Sequence, residues 1–341
     1  MTGLELSRAF YEECGRPMLK EQFPELLPYL CTGFVGSGSE HFGFDDEVSR
    51  DHDFEPGFCI FLPDESIVDR RQAFLLERAY AKLPKMFRGL IRSGVTPAGG
   101  PRNGVIRTAD FYRNAVGAPD GILTVSQWLT LPDYTLAEAV NGEVFDDPFG
   151  EFSAIRERLM FMPEDVKLKR LAGQLLLMAQ SGQYNYGRCL KHGEPEAAQL
   201  ACIEFVQAAM RAFFLLNDRY MPYYKWSFRA LKEIYGGDKL AEELSFLLFA
   251  DHRGGVAKRV DGDAAAEEEE APIKGGFVLE ENPLAKQKQL LIEEIASAFI
   301  NLLQEQGLTD AVCGDLEKHA YSVNDRIEDP EIRNLHILAA V

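Results

Sequence analysis

Several things are scarce in this chain of 341 residues, and each scarcity closes off a class of function. Its six cysteines (Cys14, Cys31, Cys59, Cys189, Cys202, Cys313) are scattered, with no C-x-x-C and no metal-like spacing. That excludes a zinc ribbon or a disulfide scaffold and predicts reduced cysteines buried as small apolar residues. No unbroken apolar run approaches the roughly 18–20 residues that span a bilayer. Positive charge is in deficit: the net charge is −18, so a long groove for nucleic acid is disfavoured. A single nucleotide arriving with its own divalent cation is compatible with that charge, because the cation inverts the local sign. Met1 to Lys20 carries Glu5, Glu12 and Glu13 and lacks the basic-then-apolar order of a signal peptide, which predicts a cytoplasmic protein. The third glycine of a dinucleotide fingerprint is also missing, since His41 stands where Gly36-x-Gly38 would require it.

What is present is a globular composition, 46% apolar and 26% charged, long enough for two domains. Residues 4–29 show helical spacing interrupted at Pro17 and Pro24. Phe58 to Leu62 reads as a buried strand closed by Pro63-Asp64, and Asp69 to Arg92 as a helix that Pro84 kinks or divides. Val105-Ile106 predicts a strand, Asp110 to Ala115 a short helix, and the first half of Gly121 to Thr130 a further strand. Leu136 to Phe145 then leads into a turn at Asp146-Asp147-Pro148-Phe149-Gly150. Beyond Gly150 the strand signals vanish. Helical spacing covers 152–160, 163–181, 194–219, 225–234, 240–250 and 284–305. In the third of these, Leu200, Phe205, Ala209, Phe213 and Leu216 predict one apolar stripe. Residues 253–283, rich in Gly, Ala and Glu, read as an exposed loop or flexible insertion. The expected fold class is α+β: a sheet-and-helix domain over 1–150, then a helical bundle over 151–341.

One stretch carries chemistry. Gly36-Ser37 ends the apolar pair Phe34-Val35, and fourteen positions after Ser37 comes Asp51-His52-Asp53, opening a second apolar run. If residues from Arg50 to Phe61 start on a strand, period-two geometry sends both aspartates to one face. Two adjacent carboxylates repel unless a cation lies between them, and Mg2+ or Mn2+ prefers such oxygen ligands while leaving room for phosphates. Such a cation neutralises phosphate oxygens and activates an attacking hydroxyl. Gly36 lets the backbone approach a phosphate closely, and the Ser37 hydroxyl can donate to it. Gly-x-Gly alone is an ordinary turn and Asp-x-Asp alone a solvated one; their order and the following strand make the pattern informative.

Further candidates remain open. A third carboxylate, acting as base or completing the metal shell, would be Asp110, Asp146 or Asp147, although Asp146-Asp147 also reads as a plain turn. Asp45-Asp46-Glu47 reads as a solvated acidic loop able to gather cation. Lys225, in Arg219-Tyr-Met-Pro-Tyr-Tyr-Lys-Trp226, can reach a triphosphate while Tyr223 or Tyr224 lines an acceptor pocket; equally, those aromatics can be packing between helices. His52-Asp53 suggests a rival, an HD-type metal phosphohydrolase, drawing further ligands from His41, His192, His252, His319 or His336. The strand expected over Phe54 to Leu62 argues against it. Arg188-x-x-x-His192 is a spacing expected by chance.

Gly36-Ser37 followed by Asp51-x-Asp53 resembles the motif of the DNA polymerase β-like nucleotidyltransferase superfamily, which includes aminoglycoside and lincosamide adenylyltransferases. Val35 to Glu40, Phe42 to Phe54, Pro56 to Cys59, Val144 to Gly150 and Asn217 to Trp226 are similar to an uncharacterised bacterial nucleotidyltransferase-like family. The resemblance implies a mixed sheet flanked by helices and then a helical substrate-side domain. It also implies a divalent cation at Asp51 and Asp53, and triphosphate phosphates near Gly36 and Ser37. The reaction implied moves a nucleoside monophosphate from a nucleoside triphosphate to a hydroxyl of a small molecule or protein. The alternative is a module of the same fold that senses nucleotide or binds a partner without turnover.

Overall fold

The computed structural model describes residues 1–48, 54–92, 103–250 and 283–341. It is a mixed α+β structure, with 62% of the described residues helical and 7% in strands. The chain divides into two compact units, one of Met1–Met162 with Arg219–Arg229, the other of Pro163–Asp218 with Ala230–Val341. The predicted insertion at 253–283 lies outside the described residues apart from its last position.

The first unit opens with α1 (Gly3–Phe10) and α2 (Arg16–Gln22), joined through a wider π turn, Tyr11–Gly15. That turn carries the helix past Pro17: the Arg16 N–H bonds five residues back to Tyr11, and Pro17, which has no N–H to give, falls in the first turn of α2. Then come β1 (Cys31–Phe34), β2 (Cys59–Leu62) and α3 (Arg70–Ala81). An Asp69–Gln72 capping box starts α3. The helix expected to Arg92 is divided near Pro84 as anticipated: α3 stops at Ala81, and beyond Pro84 Arg88 and Gly89 both take positive φ and turn β3 (Met86–Phe87) onto β4 (Leu90–Ile91) as a hairpin.

β5 (Gly104–Arg107) and α4 (Thr108–Val116) follow where strand and helix were expected. The strand expected after Gly121 does not form. Thr124 and Gln127 make a capping box there and start α5 (Val125–Thr130). α6 (Asp133–Val140), β6 (Glu143–Asp146) and α7 (Glu151–Met160) complete the run.

The sheet order is β5-β2-β1-β6, with β1 antiparallel to both neighbours and β5 parallel to β2. One face presents Ile60, Leu62 and Val105 to Leu6, Phe10, Leu19, Leu76 and Tyr80 of α1–α3. On the other face Phe61 stacks on Phe152 at 4.1 Å and meets Phe111 edge-on at 5.2 Å. A sheet covered by helices on both sides has no solvent face, so its central strands β1 and β2 are buried at every position.

The second unit contains α8 (Glu164–Met178), a π segment Ala179–Tyr186, α9 (Gly187–Lys191), α10 (Pro195–Leu216), the C-terminal part of α11 (Tyr224–Lys232), α12 (Gly237–Phe249), α13 (Pro283–Glu305), α14 (Leu316–Asp325) and α15 (Pro330–Arg333). α10 buries Cys202, Phe205, Val206, Ala209 and Phe213, while Leu200, predicted on the same stripe, is 68% exposed. By length and mean hydropathy α10 is able to cross a membrane, although it holds no unbroken apolar run of that length, and most of it is buried within the structure. Lys169, on α8, is fully buried and donates to Asn324 Oδ1 (2.8 Å), Arg333 O (3.1 Å) and Leu335 O (2.6 Å).

Candidate functional site

The Gly-Ser turn leaves the buried end of β1 through Gly36 and Gly38, both at positive φ (129° and 137°) that an L side chain rarely adopts. Asn141, just past α6, grips this turn with its amide. The Gly36 N–H donates to Asn141 Oδ1 at 2.9 Å, and Asn141 Nδ2 donates to the Gly36 carbonyl at 2.7 Å. Gly142 follows at φ 64°, where a Cβ would lie 2.0 Å from the Phe34 carbonyl oxygen, so only glycine allows this approach. Arg156 then donates to the Gly142 carbonyl at 3.1 Å. The turn is thereby held from below, and Ser37 is exposed on it.

This changes what each residue can do. The Gly36 N–H, expected to cradle phosphate, bonds to Asn141, so Gly36 serves the conformation of the turn and the Ser37 hydroxyl is left as the exposed donor. Asn141 is a residue that sequence reasoning passed over; the Asn141-Gly142 pair was its signal, as a turn dipeptide just before a strand. The Glu40 carboxylate lies under the turn, close enough that a Cβ on Gly38 would sit 2.5 Å from Glu40 Oε1. A carboxylate there repels a bare phosphate and suits one that arrives with a cation.

Asp51, His52 and Asp53 lie outside the described residues. The strand premise behind their shared face is corrected just downstream: β2 begins at Cys59, and Phe54 to Phe58 precede it without strand pairing. Local contacts hold this segment. A Cβ on Gly57 would lie 2.4 Å from Asn103 Nδ2, and the backbone of Phe58 is gripped by the Tyr80 hydroxyl. That hydroxyl accepts from Phe58 N–H at 3.1 Å and donates to Phe58 C=O at 2.8 Å.

The carboxylates considered as third members are each engaged. Asp110 pairs with Arg113 one helical turn away, and Asp146 lies 3.7 Å from Arg16. Asp147 accepts from the N–H groups of Gly150 (3.0 Å) and Ser153 (2.8 Å), which caps the start of α7. Asp45 accepts from Gly3 N–H at 3.0 Å at the start of α1. Among the described residues no three His, Cys, Asp or Glu side chains come together as a metal site.

Lys225 is exposed, with Nζ 4.9 Å above the Trp226 ring. Trp226 packs on Phe44 (6.0 Å between centroids), and Arg229 donates to the Phe44 carbonyl while lying 3.6 Å from Asp46. Arg229, not Lys225, is thus the cation joined to the segment that leads from the Gly-Ser turn toward Asp51. Nothing in its sequence neighbourhood announced it.

Of the histidines proposed for a phosphohydrolase, His41 and His319 serve packing, while His192 and His336 are exposed. His41 is buried and stacked on Phe34 at 4.0 Å. His319 is fully buried, with Nδ1 facing the Thr309 hydroxyl and Nε2 facing the Cys313 carbonyl, both at 2.9 Å. The carbonyl only accepts, so Nε2 carries the proton. His336 Nδ1 accepts from Leu338 N–H at 3.2 Å, and His252 lies outside the described residues. Arg188 donates to the Tyr184 hydroxyl at 2.9 Å. Burial raises the Cys31 thiol and pushes that of Cys59 up to about 12, so neither is a nucleophile at neutral pH.

In the second unit a cleft of about 480 Å3 is lined by Ala179, Gln180, Gln183, Tyr184, Gly314, Asp315 and Glu317. Gln183, its central polar group, already donates to Glu293 (2.7 Å) and Gly314 O (3.0 Å) and accepts from Leu316 N–H (2.9 Å). Its amide ties α14 to the π segment.

The described residues thus define a mixed α+β protein with a small four-stranded sheet and many helices. Residues 128–227 match a family described as a domain of unknown function (DUF4037), a span that contains both Asn141 and the Tyr223–Trp226 segment. No curated protein and no solved structure matches the chain.

Proposed function

We propose that this protein is a cytoplasmic nucleotidyltransferase, moving a nucleoside monophosphate from a nucleoside triphosphate to a hydroxyl of a small molecule or protein, with release of pyrophosphate and of the hydroxyl proton. The observation that carries the proposal is the Gly36–Ser37 turn, fixed by Asn141 at the end of a buried strand and fourteen residues ahead of the Asp51/Asp53 pair. In this reading the sheet and its two helical layers are a nucleotidyltransferase layout, and the helices beyond are the substrate side. Asp51 and Asp53 would hold Mg2+ or Mn2+, a donor set suited to a hard cation that completes its shell with phosphate oxygens and water. When bound, that cation neutralises phosphate charge. The Ser37 hydroxyl donates to a phosphate oxygen, and Asn141 keeps Ser37 at a constant height above the sheet, a pre-organised contact that needs no rearrangement during reaction. Lys225, exposed, supplies further positive charge for the triphosphate.

The test is transfer of label from α-labelled triphosphates to candidate hydroxyl acceptors. Asp51→Asn and Asp53→Asn should each lower transfer by at least about a hundredfold, whereas Asp110→Asn should leave it unchanged. Transfer that persists in both Asp51 and Asp53 variants would sink the assignment. A second reading, nucleotide binding without turnover, is favoured by the engagement of Asp110, Asp146 and Asp147, the three carboxylates considered for the role of base. Under it, calorimetry registers triphosphate binding in the presence of Mg2+ and no product forms.

A further inference from the structure

The geometry points to a second subsite in the first unit: we propose that Tyr134, Tyr223 and Tyr224 form a stacking platform for the base of the bound nucleotide. The proposal rests on the nucleotide reading above and adds where the base lies. Three tyrosine rings meet there, although they come from two distant segments. Tyr134 stands on α6, 5.6 Å edge-on from Tyr223, and Tyr223 lies 4.4 Å from Tyr224. All three remain open to solvent, at 38%, 45% and 74% exposure. Aromatic rings that cluster usually do so by burying one another; a cluster left this exposed presents π surface outward, as a planar ligand requires.

Two segments connect this platform to the Gly-Ser turn. On one side, Tyr134 and Asn141 are seven residues apart at the two ends of α6, which places them on the same side about two turns, or roughly 10 Å, from each other. Asn141 is the residue that grips Gly36. On the other side, the segment bearing Tyr223 and Tyr224 continues to Trp226 and Arg229, which hold Phe44 and Asp46 beyond the turn. A nucleotide with its phosphates at Ser37 and its base on the tyrosines would run along α6. Stacking uses the π face common to all bases, so the platform should tolerate several bases and favour the larger purines.

The test compares ATP with inorganic tripolyphosphate, each with Mg2+, by calorimetry on the full chain. The parent protein should bind ATP more tightly than tripolyphosphate. Tyr134→Ala combined with Tyr223→Ala should weaken ATP about tenfold, within the range that base–aromatic stacking supplies, and leave tripolyphosphate unchanged. The corresponding Phe variants should keep the parent's ATP affinity, and unchanged circular dichroism shows that the Ala variants are folded. If the Ala variant binds ATP as the parent does, or the parent binds the two ligands equally, the platform is overturned while the phosphate site stands. If the parent binds neither ligand, the nucleotide reading fails and the platform with it.

Discussion

Glu151 opens α7 with its side chain half-buried, and burial is the main reason that its carboxyl pKa is raised, with the nearby charges of Asp147 and Asp64 adding to it. A carboxyl whose pKa is higher in the folded chain than in the unfolded one binds its proton preferentially in the folded state. Its favourable contribution is complete below the unfolded value and disappears as pH rises through the folded one. Glu151→Gln should therefore raise Tm at neutral pH, and the gap from the parent should close as pH falls into the ordinary carboxylate range. Thermal melts across that window decide it; a gap that is constant with pH would show that Glu151 does not titrate in this way. Asn141 illustrates a different residue-scale lesson. Its two hydrogen bonds take up both polar groups of the Gly36 backbone, which moves the expected phosphate contact to Ser37.

At the scale of elements, local signals read well wherever one period dominated. β2, β5 and α4 lie within a residue or two of where alternation and helical spacing placed them. The failures also have local causes. Helical spacing at Phe87 and Leu90 was overridden by the Arg88-Gly89 turn, and Ile122-Leu123 looked strand-like until Thr124 capped a helix. The β1–β6 junction depends on Gly142, where both the positive φ and the 2.0 Å approach to Phe34 O exclude a side chain. Gly142→Ala should cost more than about 2 kcal/mol in urea unfolding, since strain and steric overlap act together. Gly150→Ala, at a similar φ of 76° but with nothing within 4 Å of the new Cβ, is the control and should cost about 1 kcal/mol. Equal losses at the two sites would mean that the close approach to Phe34 contributes nothing.

Across the whole molecule, the net charge of −18 shapes what the surface attracts, while stability is set by buried groups such as Lys169. Three acceptors from the C-terminal segment converge on its ammonium, so α8, α14, the end of α15 and the chain after it share one polar anchor. Lys169→Met fills a similar volume but leaves those acceptors without their donor. It should lower unfolding stability by about 3 kcal/mol and speed tryptic cleavage after Arg333. An unchanged midpoint with unchanged cleavage would show that the anchor is dispensable. No sequence rule marks this lysine, because in a helical pattern it reads as one more solvated charge.

By itself the sequence determined the α+β class, most helices and the small-residue turn ahead of an aspartate pair. Periodicity, capping residues and turn dipeptides act within a few residues of themselves, so they are legible without a fold. Tertiary structure alone decided that Asn141 occupies the Gly36 backbone, that Arg229 joins Phe44 and Asp46, and that Tyr134 meets Tyr223. Each of those pairs joins residues about ninety or more positions apart. Their meeting is set by how helices pack on a sheet, and that packing sums many weak contacts that no single stretch of chain encodes.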